Sequence, residues 1–186
     1  MDEPTSAGAL KVRWPTVAVL VLVCAAVLGA SLYVAHRHTS STPAKGPYPD
    51  LVLVGRLTKD LPWRDLSVNV TWDGTKAGAI PSDLQAVYRG ETLYKVIGLV
   101  DDNDPSSFNV ALAEKGYQIR FIADDGYEWT MSSKAIVGQT GSIIARLRNG
   151  RPLPKGEGPY RDVGSFIHHF YGAPSVKMIK RIELLY

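Results

Sequence analysis

From Val17 to Ala35 the chain runs for 19 residues, VAVLVLVCAAVLGASLYVA, without a charged side chain. As a helix rising 1.5 Å per residue this stretch is about 28 Å long, close to the hydrocarbon thickness of a bilayer. Lys11, Arg13 and Trp14 precede it, and Tyr33, His36, Arg37 and His38 stand at its other end. Aromatic residues at both ends suit the two membrane interfaces. No polar face interrupts the run, which disfavours a buried core helix. A cleaved signal peptide has a shorter apolar region that ends in small residues at −3 and −1. Here Leu28-Gly29-Ala30 places a large residue at −3, and Val23 before Cys24 makes a poor lipoprotein acceptor. The pattern therefore predicts a tail over residues 1–14 and an uncleaved transmembrane anchor over 15–35. Residues 36–49, HRHTSSTPAKGPYP, are small, polar and proline-bearing, and predict a linker. Residues 50–186 are left for a folded domain.

Past the linker the period changes. Val68, Val70 and Trp72 alternate with Ser67, Asn69 and Thr71, the pattern of a half-buried strand, and Asp73-Gly74 supplies a turn. Tyr117, Ile119 and Phe121 alternate in the same way before Asp124-Asp125-Gly126. Leu51–Arg56, Ile143–Leu147 and Val176–Leu185 read as further strands. Leu93, Val96, Ile97 and Val100 fall at i, i+3, i+4 and i+7, which predicts a helix ending at Asp101-Asp102. A weaker helix is expected over Ser132–Val137. Short strands with one or two helices and no internal repeat give an α+β domain.

Composition narrows the chemistry. The 186 residues hold a single cysteine, Cys24, which excludes an intrachain disulfide framework and any zinc site built on several thiolates. Cys24 itself falls within the apolar span. Against 21 basic residues stand 18 acidic ones, a net charge of +3 that is too even for a nucleic-acid binder. Most of the excess lies before residue 46. The positive-inside bias across the anchor is slight. An N-terminal anchor ahead of a folded domain nevertheless favours a single-pass cell-membrane protein whose C-terminal domain is extracytoplasmic. The sequon Asn69-Val70-Thr71 falls in the predicted strand and adds little.

No nucleotide-binding glycine loop, GxSxG elbow or HExxH motif is present, and Pro159 spoils Gly156-Glu157-Gly158 as a phosphate loop. His168 and His169 are adjacent, so they point to different sides and do not readily share a metal. Asp124, Asp125 and Glu128 read as turn-formers rather than a calcium site, and Asp101, Asp102 and Asp104 read the same way. Arg146, Arg148, Arg151, Lys155 and Arg161 put five positive charges within 16 residues, opposed by Glu157 alone. This is either a solvated face or an anion pocket, since guanidinium forks match phosphate geometry.

Several segments, in order, resemble the molybdopterin-binding oxidoreductase domain of sulfite oxidases and their relatives. Leu53–Leu57 is similar to the opening strand. Tyr88-Arg89-Gly90-Glu91-Thr92-Leu93 is similar to the turn that enters the helix, and Asp125-Gly126-Tyr127 to a later turn. Ala145 with Asn149-Gly150-Arg151-Pro152-Leu153, then Gly158-Pro159-Tyr160-Arg161, and finally Tyr171-Gly172 with Ser175-Val176-Lys177 follow. The likeness spans most of residues 51–186. It implies a mixed, strand-rich α+β fold that cradles molybdopterin, with Arg161 contacting phosphate and Ser175 and Lys177 helping to hold the pyranopterin. On this reading, Arg161→Ala weakens an anionic ligand and leaves the fold intact.

One departure matters more. Enzymes of the resembled family bind molybdenum through a cysteine just after an early strand, and the matching Val70-Thr71-Trp72-Asp73-Gly74 has none. Tryptophan does not coordinate the metal, so no catalytic or metal-binding residue is assigned, and no haem or zinc site is expected. Two readings remain. One is a degenerate ligand-binding or scaffold module without ordinary sulfite oxidase activity, tethered to the membrane beside a membrane-complex or electron-transfer partner. The other is a molybdopterin-dependent oxidoreductase that holds its cofactor without a cysteine ligand.

Overall fold

Leu51 and Leu53 are fully buried while Val52 and Val54 are half-buried, the two-residue period of a strand with one face on a core. In the computed structural model, which describes residues 47–77, 80–164 and 175–186, they form β1 (Leu51–Val54). There follow β2 (Thr58–Leu61), β3 (Val70–Asp73), β4 (Val87–Thr92), helix α1 (Leu93–Gly98), helix α2 (Val110–Lys115), β5 (Gln118–Ala123) and β6 (Glu128–Ser132). Then come β7 (Ser142–Arg148), β8 (Arg151–Pro152), β9 (Arg161–Gly164) and β10 (Ile179–Leu185). Among the described residues no helix is long and apolar enough to cross a membrane. The expected tail, anchor and residues 36–46 of the linker lie outside them.

The strands make two sheets, and the domain is mixed α+β and strand-rich. The first sheet has the order β2-β1-β10-β5-β6. β10 runs parallel to β1, with Val52 opposite Arg181, and antiparallel to β5. The second has the order β3-β4-β7-β8, and β9 also pairs with β7, from Ser142 opposite Gly164 to Ala145 opposite Arg161. Leu51, Leu53, Ile119, Phe121, Ile179 and Ile182 of the first sheet meet Leu93, Val96 and Ile97 of α1 in the larger core. A smaller core of Trp72, Leu84, Tyr88, Ile143, Leu153 and Val163 belongs to the second sheet.

Three expected elements are shorter than their patterns. The strand over Ser67–Trp72 begins only at Val70, because the Ser67 hydroxyl accepts the Asn69 N–H at 3.2 Å and offers the backbone a local turn. Asn69 is therefore exposed ahead of the strand, not inside it. The expected helix over Ser132–Val137 is a four-residue 3-10 turn, Ser133–Ile136. The last strand starts at Ile179. Before it, Met178 takes a left-handed φ of 51°, and residue 176 pairs with β9 instead, through the Asp162 N–H donating to the Val176 carbonyl at 3.1 Å.

Local chemistry explains the two resembled turns beside the site. Asn149 (φ 49°) and Gly150 (φ 75°) make the left-handed pair that a two-residue hairpin between β7 and β8 requires. The Asn149 amide oxygen also accepts the Val87 N–H at 3.0 Å, tying that turn to β4. At Gly90 a Cβ would lie 2.0 Å from the Ile144 carbonyl oxygen, so only glycine admits β7 this closely.

Candidate functional site

All four residues of β9 are buried, an unusual place for two charged side chains. Arg161 is 1% exposed. A guanidinium taken out of water must have its N–H groups paired, and here they are. Its Nε donates to Ser175 Oγ at 2.7 Å, and Nη1 donates to Glu157 Oε2 at 2.9 Å and to the Tyr88 hydroxyl at 3.2 Å. Nη2 donates to Asp83 Oδ2 at 2.7 Å. The same Asp83 oxygen lies 2.8 Å from Lys177 Nζ, so one carboxylate bridges two cations. Arg148 pairs with the other oxygen of Glu157 at 2.7 Å. The Tyr88 ring lies under both guanidiniums, 5.6 Å from that of Arg161 and 6.0 Å from that of Arg148.

The structure thus gathers Arg161, Ser175 and Lys177, the three residues singled out by the resemblance, and gives them unlike parts. Ser175 is buried, and its hydroxyl accepts from Arg161 while donating its only proton to the Asp162 carbonyl. It fixes the direction of the guanidinium and has no proton left for a ligand. Lys177 is 40% exposed and faces water. Two acidic partners were not legible beforehand. Asp83 sits on the 3-10 turn Ser82–Leu84, 78 positions from Arg161 in sequence. Glu157 did carry a local signal, four residues before Arg161, but it registered only as an opposing charge.

The electrostatics follow from these contacts. Lys177, with Arg161, holds the Asp83 carboxyl down to about 2 against the partial burial that would raise it. Asp162 behaves in the opposite way. Fully buried, with Oδ1 accepting the Val176 N–H and Oδ2 without a partner among the described residues, it is pushed up to about 7 by desolvation. Burial likewise raises the Tyr88 phenol above its usual range.

The run of five basic residues does not form one pocket. A bulge in β7 between the partners of Arg89 and Gly90 leaves Arg146 out of register. Its Nε donates to the Leu66 carbonyl at 2.8 Å and its guanidinium stacks 4.3 Å from the Trp63 ring. Arg151 and Lys155 are exposed. Only Arg148 and Arg161 converge. Among the other candidates, Asp125 accepts the Tyr127 N–H at 3.0 Å and Asp104 accepts the Ser106 N–H at 3.0 Å, as turn residues do. His168, His169, Tyr171 and Gly172 lie outside the described residues. A separate apolar cavity of about 1020 Å³, lined by Leu61, Leu66, Tyr94, Phe108 and Ile136 among others, contains none of the three residues.

Whether these groups suit a molybdopterin divides by its two ends. At the metal end they do not. Trp72, in the segment that resembles the family's cysteine-bearing one, is 8% exposed and packs 5.9 Å from the Tyr88 ring, in the smaller core. The described residues contain no cluster of three or more His, Cys, Asp or Glu side chains suited to a metal. At the phosphate end the donors have the right chemistry, but Asp83 and Glu157 already engage them.

No protein-family model matches the chain, and no curated protein does. Among solved structures, the sulfane dehydrogenase SoxCD from Paracoccus pantotrophus is similar with a TM-score of 0.50 at 14% identity. The match covers 76% of this chain and 39% of that one, so the chain spans well under half the length of its structural neighbour. At this identity the likeness is one of fold. It supports a distant relation to the molybdopterin-oxidoreductase fold that the sequence segments resemble.

Proposed function

We propose that this chain presents a molybdopterin-oxidoreductase-type domain outside the cytoplasm, tethered by an N-terminal anchor, as a ligand-binding or scaffold module without ordinary sulfite oxidase activity. The ligand it takes is anionic. Arg161 and Lys177 receive a phosphate-like group, Ser175 orients Arg161, and Arg148 adds positive charge behind Glu157. A molybdopterin bound there would be held through its phosphate by Arg161 and Lys177, and its oxygen-transfer chemistry would lack a cysteine from this chain to position the metal. The observation that supports this reading is that Arg161 and Lys177 share one carboxylate oxygen of Asp83, with Ser175 directing Arg161, while the segment resembling the cysteine segment carries no thiol and buries Trp72 against Tyr88.

The test is to produce the full chain in a host that synthesises molybdopterin and to assay the purified protein for molybdenum and for pterin. A module of this kind carries no stoichiometric molybdenum. Stoichiometric metal together with pterin would overturn the reading and establish the cysteine-free oxidoreductase instead.

A further inference from the structure

Asp83 differs from every other member of the cationic cluster's carboxylate set in how it is held. Glu157 is only 13% exposed and is clamped between Arg148 and Arg161. The Asp83 side chain is 40% exposed. Its backbone carbonyl is anchored independently, accepting from the Tyr88 hydroxyl at 2.8 Å and from Arg161 Nη1 at 3.4 Å. The carboxylate can therefore swing out about its side-chain torsions while the turn Ser82–Leu84 keeps its place. When it leaves, Arg161 Nη2 and Lys177 Nζ both face a single vacated oxygen position that opens to water.

We propose that Asp83 is an internal competitor for this anion site, lowering its affinity for every anion that must displace the carboxylate, and that the cations it masks favour dianions over monoanions. The inference rests on the reading of Arg161 and Lys177 as anion-binding residues. Charge counting gives the reason. Three cations, Arg148, Arg161 and Lys177, face two carboxylates, Asp83 and Glu157, which leaves one positive charge in excess. A monoanion that displaces Asp83 replaces one negative charge by another and gains little. A phosphomonoester dianion brings one charge more and neutralises the cluster, with three acceptor oxygens for the two donors. The held-down ionisation of Asp83 keeps this competition in force throughout the physiological range.

Phenyl phosphate and benzenesulfonate provide a dianion and a monoanion of nearly the same shape. Their affinities are to be measured by titration calorimetry on the full chain in detergent micelles at pH 6.5, where phenyl phosphate is mostly dianionic and Asp162, beside Arg161, keeps most of its proton and so stays out of the charge count. The wild type should prefer phenyl phosphate by about tenfold or more. In Asp83→Asn, which retains an oxygen for Arg161, both probes should bind about tenfold more tightly while the preference between them stays. Lys177→Gln, a change at an exposed position, should weaken phenyl phosphate in a protein whose fold does not depend on it. If Asp83→Asn binds both probes no more tightly than the wild type, the competitor role is overturned while the anion site stands. An Asp83→Asn protein that fails to fold leaves the decision to Asp83→Ser, where affinities no higher than the wild type's overturn the proposal. Absence of binding of either probe to all three proteins overturns the anion site itself.

Discussion

The sheet built on β1 and β10 and the ionic cluster around β9 are stabilised by opposite means. In the first, Phe121 is fully buried and stacks on Trp129 with ring centroids 5.5 Å apart, within a mostly aliphatic core. In the second, a fully buried arginine and a fully buried aspartate occupy adjacent positions of one strand. An apolar core tolerates reshuffling so long as volume is kept. A buried ionic cluster is worth little net when complete and is costly when one member is removed. The contrast teaches where selection beyond folding would be visible, since a scaffold alone could have used leucine at position 161.

The comparison can be broken from either side. Phe121→Ala should cost about 3–5 kcal/mol through lost burial and the cavity left behind, read as a fall in the thermal midpoint. No polar change elsewhere should restore it. Arg161→Ala should cost about 3–5 kcal/mol for a different reason, since it leaves Glu157 without its buried partner and Asp83 with Lys177 alone. That expectation departs from the sequence-based one, in which the fold survives the change untouched, and the reason is the near-complete burial of the guanidinium. Adding Glu157→Gln and Asp83→Asn to Arg161→Ala should recover part of the loss, and failure to recover any would show the cluster to be held by packing rather than charge.

Asp162 sharpens the contrast through pH. The unfolded chain releases this proton near the ordinary aspartate value, about 3.9, whereas the native carboxyl holds it to about 7. Between those values the native state binds the extra proton, so stability falls as pH rises from about 4 to 7. Asp162→Asn removes that decline while keeping an acceptor for the Val176 N–H. The variant should match the wild type at pH 4 and exceed it by roughly 2–4 kcal/mol at pH 8. Chemical denaturation at the two pH values checks this, and equal gains at both would mean that Asp162 is ionised in the native protein.

Elements with a strong period were readable from the sequence, and those held by partners alone were not. Leu93, Val96 and Ile97 of α1 and the alternation of β5 announce themselves because one face is buried along the whole element. β2 reads Thr-Lys-Asp-Leu and buries only Leu61, so it is a strand through its pairing with β1 rather than through its pattern. α2 buries only Ala113 and shows no stripe. At the site, Arg161, Ser175 and Lys177 were legible through resemblance, whereas Asp83 was not. It contributes a single polar side chain from a three-residue turn, and nothing in local spacing ties it to an arginine 78 positions away. The lack of a cysteine in Val70–Gly74 was legible, but the packing of Trp72 against Tyr88 required three dimensions.

The parallel pairing of β1 with β10 has a consequence for the order of events during synthesis. β10 lies between β1 and β5, so the β1–β2 hairpin and the β5–β6 hairpin are joined only through it. A ribosome that has delivered the chain through β9 has released every other strand of this sheet, yet the two hairpins remain unconnected and their apolar faces uncovered. Closure waits for residues 179–185. Until then the nascent domain is a client for whatever holds incomplete chains.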